Sequence, residues 1–110
     1  RMAQIEGVFP EGARVLLVED MATDGGSKVV FVKALREAGA LTSQCAVIFH
    51  YGIFPHEQSE LAALGVHLHS LCTWRDVLEC AESSGLHSTE TLSEVRDFLN
   101  DPVTWQAQRP

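Results

Sequence analysis

A chain of 110 residues, 45% hydrophobic and 21% charged, has room for one ordinary globular domain and little for a second. Its net charge of −7 argues against nucleic acid, whose phosphates are held by clustered Lys and Arg. No apolar run approaches the roughly 18 residues that a membrane helix needs, so no membrane is expected. Cys45, Cys72 and Cys80 are odd in number and lack CxxC spacing, which points to reduced, structural thiols and away from a disulfide framework or zinc site. Arg1 to Gly7 contain no apolar signal core, and a cytoplasmic location is the expectation.

Pro10-Glu11-Gly12 reads as a turn, and Val15-Leu16-Leu17-Val18 as a strand covered on both faces, central in a parallel sheet. From Ser27 the apolar positions Val29, Val30, Val32, Leu35 and Ala38 follow a helical spacing, with Gly39 placed for a left-handed cap. Ala46-Val47-Ile48-Phe49 is a second buried strand. Pro55 opens a short helix through Leu61 and Leu64 that Gly65 closes, and Val66 to Leu71 is a third strand. Thr73 and Asp76 form a capping box for a helix reaching about Glu82, with Asp in place of the usual Glu. Ser83-Ser84-Gly85 breaks the chain before an amphipathic helix that places Leu92, Val95, Phe98 and Leu99 on one side. Pro102 is expected to start a terminal turn. Strand and helix alternate three times, the pattern of an α/β parallel sheet with flanking helices. The chain enters its first buried strand almost at once, so further strands and helices are expected upstream.

The chemistry concentrates after that first strand, in Glu19, Asp20, Met21, Ala22, Thr23, Asp24, Gly25, Gly26 and Ser27. In open α/β sheets ligands bind beyond the carboxyl ends of the strands. Gly25 and Gly26 can adopt positive φ and bring backbone N–H groups close to an anion. The following helix start adds free N–H donors and a partial positive charge, and Thr23 and Ser27 add hydroxyls. A phosphate could thus be held without an arginine. Glu19 and Asp20 precede the cradle, where carboxylates accept hydrogen bonds from vicinal sugar hydroxyls and stabilise positive charge developing on a ribose ring. A lone Asp-Gly-Gly would favour a plain acidic turn, but strand, two acids, hydroxyl, two glycines, hydroxyl and helix in sequence favour the ligand site.

The thirteen residues Val15 to Ser27 resemble the phosphoribosyl pyrophosphate (PRPP) signature of type I phosphoribosyltransferases, a Rossmann-like fold. Gln4-Ile5-Glu6-Gly7 resembles the lead-in to this strand in orotate phosphoribosyltransferases, and Thr73-Trp74-Arg75-Asp76-Val77-Leu78 resembles the start of their penultimate helix. The resemblance spans nearly all of residues 1–110 and implies the carboxy-terminal part of such a domain, with the amino-terminal hood and the catalytic loop lying upstream. It implies that Glu19 and Asp20 contact the ribose 2′- and 3′-hydroxyls as the catalytic acids, and that Thr23, Asp24, Gly25, Gly26 and Ser27 bind the 5′-phosphate. The implied reaction joins orotate to PRPP, giving orotidine 5′-monophosphate and diphosphate. Magnesium would be bound chiefly through PRPP and not by a protein metal site. A homodimer is implied, since the family's mobile loop serves the neighbouring subunit.

Two departures stand out. Asp24 occupies a place where the family more often has Thr, Ser or Ala, and His50-Tyr51-Gly52-Ile53-Phe54 stands where many members grip orotate with an arginine. His50 and Tyr51 are therefore the base-side candidates, through hydrogen bonds and stacking, against a structural partner role for His50. A purine-type phosphoribosyltransferase and a non-catalytic PRPP- or nucleotide-binding module are the alternatives. His67 and His69 share a strand face but lack a third ligand for a metal. Trp74 and Trp105 are expected to pack, the face of Arg75, Asp76, Glu79 and Glu82 to be solvated, and Lys28 to lie beside the 5′-phosphate at the helix start.

Overall fold

The computed structural model describes residues 5–23, 26–54 and 60–109. Three parallel strands form one sheet in the order β1 (Arg14–Ala22), β2 (Leu41–His50), β3 (His67–Thr73). Helix α1 (Gly26–Glu37) connects β1 to β2, and a helical turn over residues 60–63 precedes β3. Helices α2 (Trp74–Ser84), α3 (Thr89–Asn100) and α4 (Pro102–Ala107) complete the chain. This is the α/β parallel sheet expected from the alternating pattern.

Both connecting helical segments stop by the same device. Gly39, at φ +99°, lets its N–H reach the carbonyl of Arg36 at 3.1 Å and the Ala40 N–H reach that of Leu35 at 3.0 Å. Gly65, at φ +71°, repeats this with Ala62 at 2.9 Å, while Val66 bonds Leu61 at 2.9 Å. These are the paired bonds of a Schellman motif, which satisfies carbonyls that a helix end leaves unpaired. Each cap turns the chain directly toward the following strand.

The core lies on one face of the sheet, where Ala22, Cys45 and Val47 meet Val32 of α1 together with Leu61 and Val66. Leu17, Val29, Leu64 and Leu68 pack around that cluster. The opposite face is bare among the described residues: Leu16 is 54% exposed, Val18 67%, Ile48 59% and Leu71 83%. The expectation of a central strand covered on both faces is therefore corrected. β1 pairs only with β2 among the described residues, and only its inward-facing residues are covered. The radius of gyration, 17.4 Å, exceeds the about 13 Å of a compact domain of this length, in keeping with a sheet dressed on one side.

The carboxy-terminal helices hold to one another chiefly by polar ties. Thr73 and Asp76 make the expected capping box, with the Thr73 N–H donating to Asp76 Oδ2 at 2.8 Å, and Gly85 closes α2 in the left-handed conformation. The Arg75–Glu82 face is exposed, yet Arg75 donates to the Leu99 carbonyl at 3.1 Å and Glu82 pairs with Arg96, so it also stitches α2 to α3. After Pro102 the chain forms a helix and not merely a turn, because Asp101 accepts from the Thr104 N–H and proline fits a first helical position. Trp105 packs edge-on against Phe98, with ring centroids 5.2 Å apart, beneath the Arg109 guanidinium.

Candidate functional site

The carboxyl ends of all three strands reach one edge of the sheet. Register pairs Ala22 with His50 and His50 with Thr73, so the exits of β1, β2 and β3 lie side by side. The Tyr51 N–H donates to the Ala22 carbonyl at 2.9 Å, which ties the exit of β2 to the last residue before Thr23. Gly52, at φ +67°, turns the chain away beside Thr73; an added Cβ would lie 3.8 Å from the Thr73 methyl. This edge is where a doubly wound sheet offers its ligand crevice.

β1 runs further than expected, through both acids to Ala22, so Glu19 and Asp20 belong to the strand and not to the loop after it. Successive strand residues point to opposite faces. Glu19 accordingly shares the covered face with Val15 and Leu17, whereas Asp20 is exposed; the alternation ends there, since Met21 is exposed and Ala22 is buried in the core. Thr23 follows as an exposed bend, and Gly26 and Ser27 are exposed residues of the first turn of α1. Asp24 and Gly25 lie outside the described residues. Gly26 is the first residue of α1, where helical dihedrals are the rule and not the positive φ expected of a loop glycine.

Lys28, expected beside the phosphate, is turned into the molecule. It is 3% exposed, and its Nζ donates to the Met21 carbonyl at 2.6 Å and lies 2.9 Å from Glu19 Oε1. The contact with Glu19 is an ion pair without hydrogen-bond alignment, and Glu19 Oε1 is sealed from solvent. Cys45 lies close enough to feel both groups. Burial pushes its thiol above the ordinary range, Lys28 pulls it down and Glu19 pushes it up. The inward turn was available from helical spacing, since Lys28, Val32 and Leu35 fall at i, i+4 and i+7 on one stripe. An apolar-only reading of that stripe passes over the lysine.

On the base side, His50 is buried and Tyr51 half-buried within an aromatic cluster. The Tyr51 ring stacks on Phe54 at 6.5 Å and meets Phe49 at 5.8 Å and Trp74 at 5.9 Å edge-on. Phe49 and Trp74 are 5.5 Å apart. Trp74 packs as expected, and its indole N–H has no acceptor among the described residues. The elements thus bring Tyr51 to the same edge as Thr23, while His50 faces inward. His67 and His69 are exposed, and His69 Nε2 lies 2.6 Å from Gln44 Oε1. Among the described residues no cluster of three His, Cys, Asp or Glu side chains is placed to hold a metal ion.

The chain is 61% identical over 106 residues to orotate phosphoribosyltransferase of Dinoroseobacter shibae, covering 96% of this chain and 47% of that relative. The chain is related to the orotate phosphoribosyltransferases. The same name belongs to a Cereibacter sphaeroides relative that is 58% identical over 109 residues, covering 99% of this chain and 47% of the relative. The chain therefore spans about half the length of the curated relatives it matches. Orotate phosphoribosyltransferase from Aeropyrum pernix superposes with a TM-score of 0.67 at 33% identity, covering 77% of this chain and 46% of that one. Leishmania donovani UMP synthase superposes with a TM-score of 0.76 at 26% identity, covering 88% of this chain and 21% of that one. No family model matches the chain. These neighbours bear out the partial phosphoribosyltransferase fold expected from Val15 to Ser27.

Proposed function

We propose that this chain forms the PRPP-binding, carboxy-terminal part of an orotate phosphoribosyltransferase, which converts orotate and PRPP to orotidine 5′-monophosphate and diphosphate. The observation that supports it most is the β1 exit: Asp20 exposed at the strand end, then Thr23, then Gly26 and Ser27 opening α1. Residues 23–27 receive the 5′-phosphate on backbone N–H groups at the start of α1. Asp20 accepts hydrogen bonds from the ribose hydroxyls and its negative charge favours the oxocarbenium-like transition state, while Glu19 stands behind it paired to Lys28. Tyr51 lies nearest to the site for the pyrimidine, with His50 as inward support.

Magnesium fits this arrangement as an ion carried by the substrate. It typically uses one or two carboxylates together with phosphate oxygens, and one exposed carboxylate, Asp20, stands at the edge. When bound, the ion neutralises charge building on the departing diphosphate. The working enzyme is read as a cytoplasmic homodimer in which cationic residues beyond these 110 complete the diphosphate side.

The test measures orotate consumption with PRPP and magnesium, using this chain alone and then mixed with a separately produced amino-terminal half of a relative. The chain alone is expected to be inactive and the mixture active. Turnover by the chain alone at about 1 to 10³ s⁻¹, the range typical of enzymes, would overturn the need for the second half. Thermal stabilisation by adenylate in preference to orotidylate would move the reading to a purine-type enzyme.

A further inference from the structure

Lys28 is the one Lys, Arg, Asp or Glu side chain among the described residues that is fully buried. A lysine at a helix start ordinarily carries its ammonium to water along a flexible stem, and burying that charge is unfavourable unless it is paired and hydrogen-bonded. Here the ammonium turns inward and takes two partners, both on β1: the Glu19 carboxylate and the Met21 carbonyl. One partner stands immediately before Asp20 and the other immediately after it. The strand segment that carries the ligand-facing acid is thereby pinned from the covered side.

We propose that Lys28 is a positioning residue of the phosphoribosyl site, fixing the β1 exit around Asp20 and cancelling the charge of Glu19 so that an anionic sugar phosphate meets one carboxylate and not two. The inference rests on the PRPP reading of this edge. Its electrostatic part follows from separation, because an opposite charge at 2.9 Å offsets Glu19 at the distance of an approaching phosphate. The coupled effects of Lys28 and Glu19 on the Cys45 thiol agree with two opposed charges under the sheet. A protein of net charge −7 gains from such compensation at an anion site.

The experiment titrates magnesium PRPP into the 110-residue chain, with affinity followed by NMR or calorimetry, for four proteins: wild type, Lys28→Met, Glu19→Gln and the double variant. Lys28→Met should weaken binding about tenfold, the size of a lost charge-assisted contact, and more strongly at low salt. Adding Glu19→Gln should restore most of the loss, because no charge then needs cancelling; a lysine acting only through its bond to the Met21 carbonyl would leave the double variant as weak as the single one. If Lys28→Met does not fold, the wild type still decides, since the sheltered Lys28 15Nζ resonance should shift on PRPP addition. A wild type that binds PRPP with that resonance unmoved overturns the positioning role, and a double variant without recovery overturns its charge-cancelling part; neither touches the PRPP reading. A wild type in which PRPP moves no resonance overturns the PRPP reading and this inference with it.

Discussion

The two faces of the sheet are built from similar residues and have different fates. Toward α1, Leu17, Cys45 and Val47 are packed with Val32 and Leu61; on the reverse, Leu16, Val18, Ile48 and Leu71 stand more than half exposed. Both sets alternate along the same strands, so composition does not distinguish them. What distinguishes them is whether a helix is present to cover them. The same alternation separates Glu19 from Asp20, giving one acid an interior cation and leaving the other exposed. Adjacent residues of like charge therefore have unlike surroundings, and each is set by a face.

The contrast breaks most visibly in the core. Leu61→Ala should destabilise the chain by about 2 to 5 kcal/mol, the range for truncating a buried leucine, whereas Val18→Thr on the bare face should stay within about 0.5 kcal/mol. Urea denaturation of both variants measures the difference. Equal losses would mean that Val18 is covered in solution, in which case sedimentation should reveal self-association through an apolar face.

A smaller effect sharpens the comparison at the site. Asp20→Asn should weaken orotidylate binding about tenfold to a hundredfold through loss of a charge-assisted acceptor, while its melting temperature stays near wild type. Calorimetry and a thermal scan on the same sample check both halves of the expectation. Unchanged affinity would remove Asp20 from the site.

The smallest expected effect lies away from the sheet, at the cap of α4. Hydrogen bonds from the Thr104 side chain and backbone hold the Asp101 carboxyl below its ordinary range. A carboxyl depressed in the folded state contributes stability above its unfolded pKa of about 4, and that contribution is lost as pH falls through the folded value. Amide shifts of residues 103–107 should therefore show α4 fraying in acid, and Asp101→Asn should remove the pH dependence. A pH-independent wild type would show that the cap does not govern this helix.

Local chemistry was the legible part of this molecule. Gly39 and Gly65 end helical segments where a left-handed residue was expected, and Thr73 with Asp76 caps α2, because each device needs only a few neighbouring residues. The Val15 to Ser27 motif was likewise readable as a stretch, though β1 was expected to end before the acids that it contains. Less legible was whatever depends on a second layer. A run such as Val15-Leu16-Leu17-Val18 is compatible with two covered faces and does not state which one has its helix. Lys28 escaped for a related reason: a charge on an apolar stripe reads as solvent-facing until its partner on another element is known. Pro102 was expected to start only a turn, whereas the Asp101 side chain before it caps a helix.

The capping box at Thr73 has a consequence for how the molecule opens. Beyond it, α2, α3 and α4 are tied mainly to one another, by Arg75 to Leu99, Arg96 to Glu82, and Trp105 and Arg109 to Glu94. Their contact with the sheet runs chiefly through β3. Cooperative opening units in proteins follow such divisions of contact. Residues 74–109 are therefore expected to exchange as a unit faster than β1 and β2, once Trp74 leaves Phe49 and Tyr51; amide exchange no faster there than in the sheet would refute this.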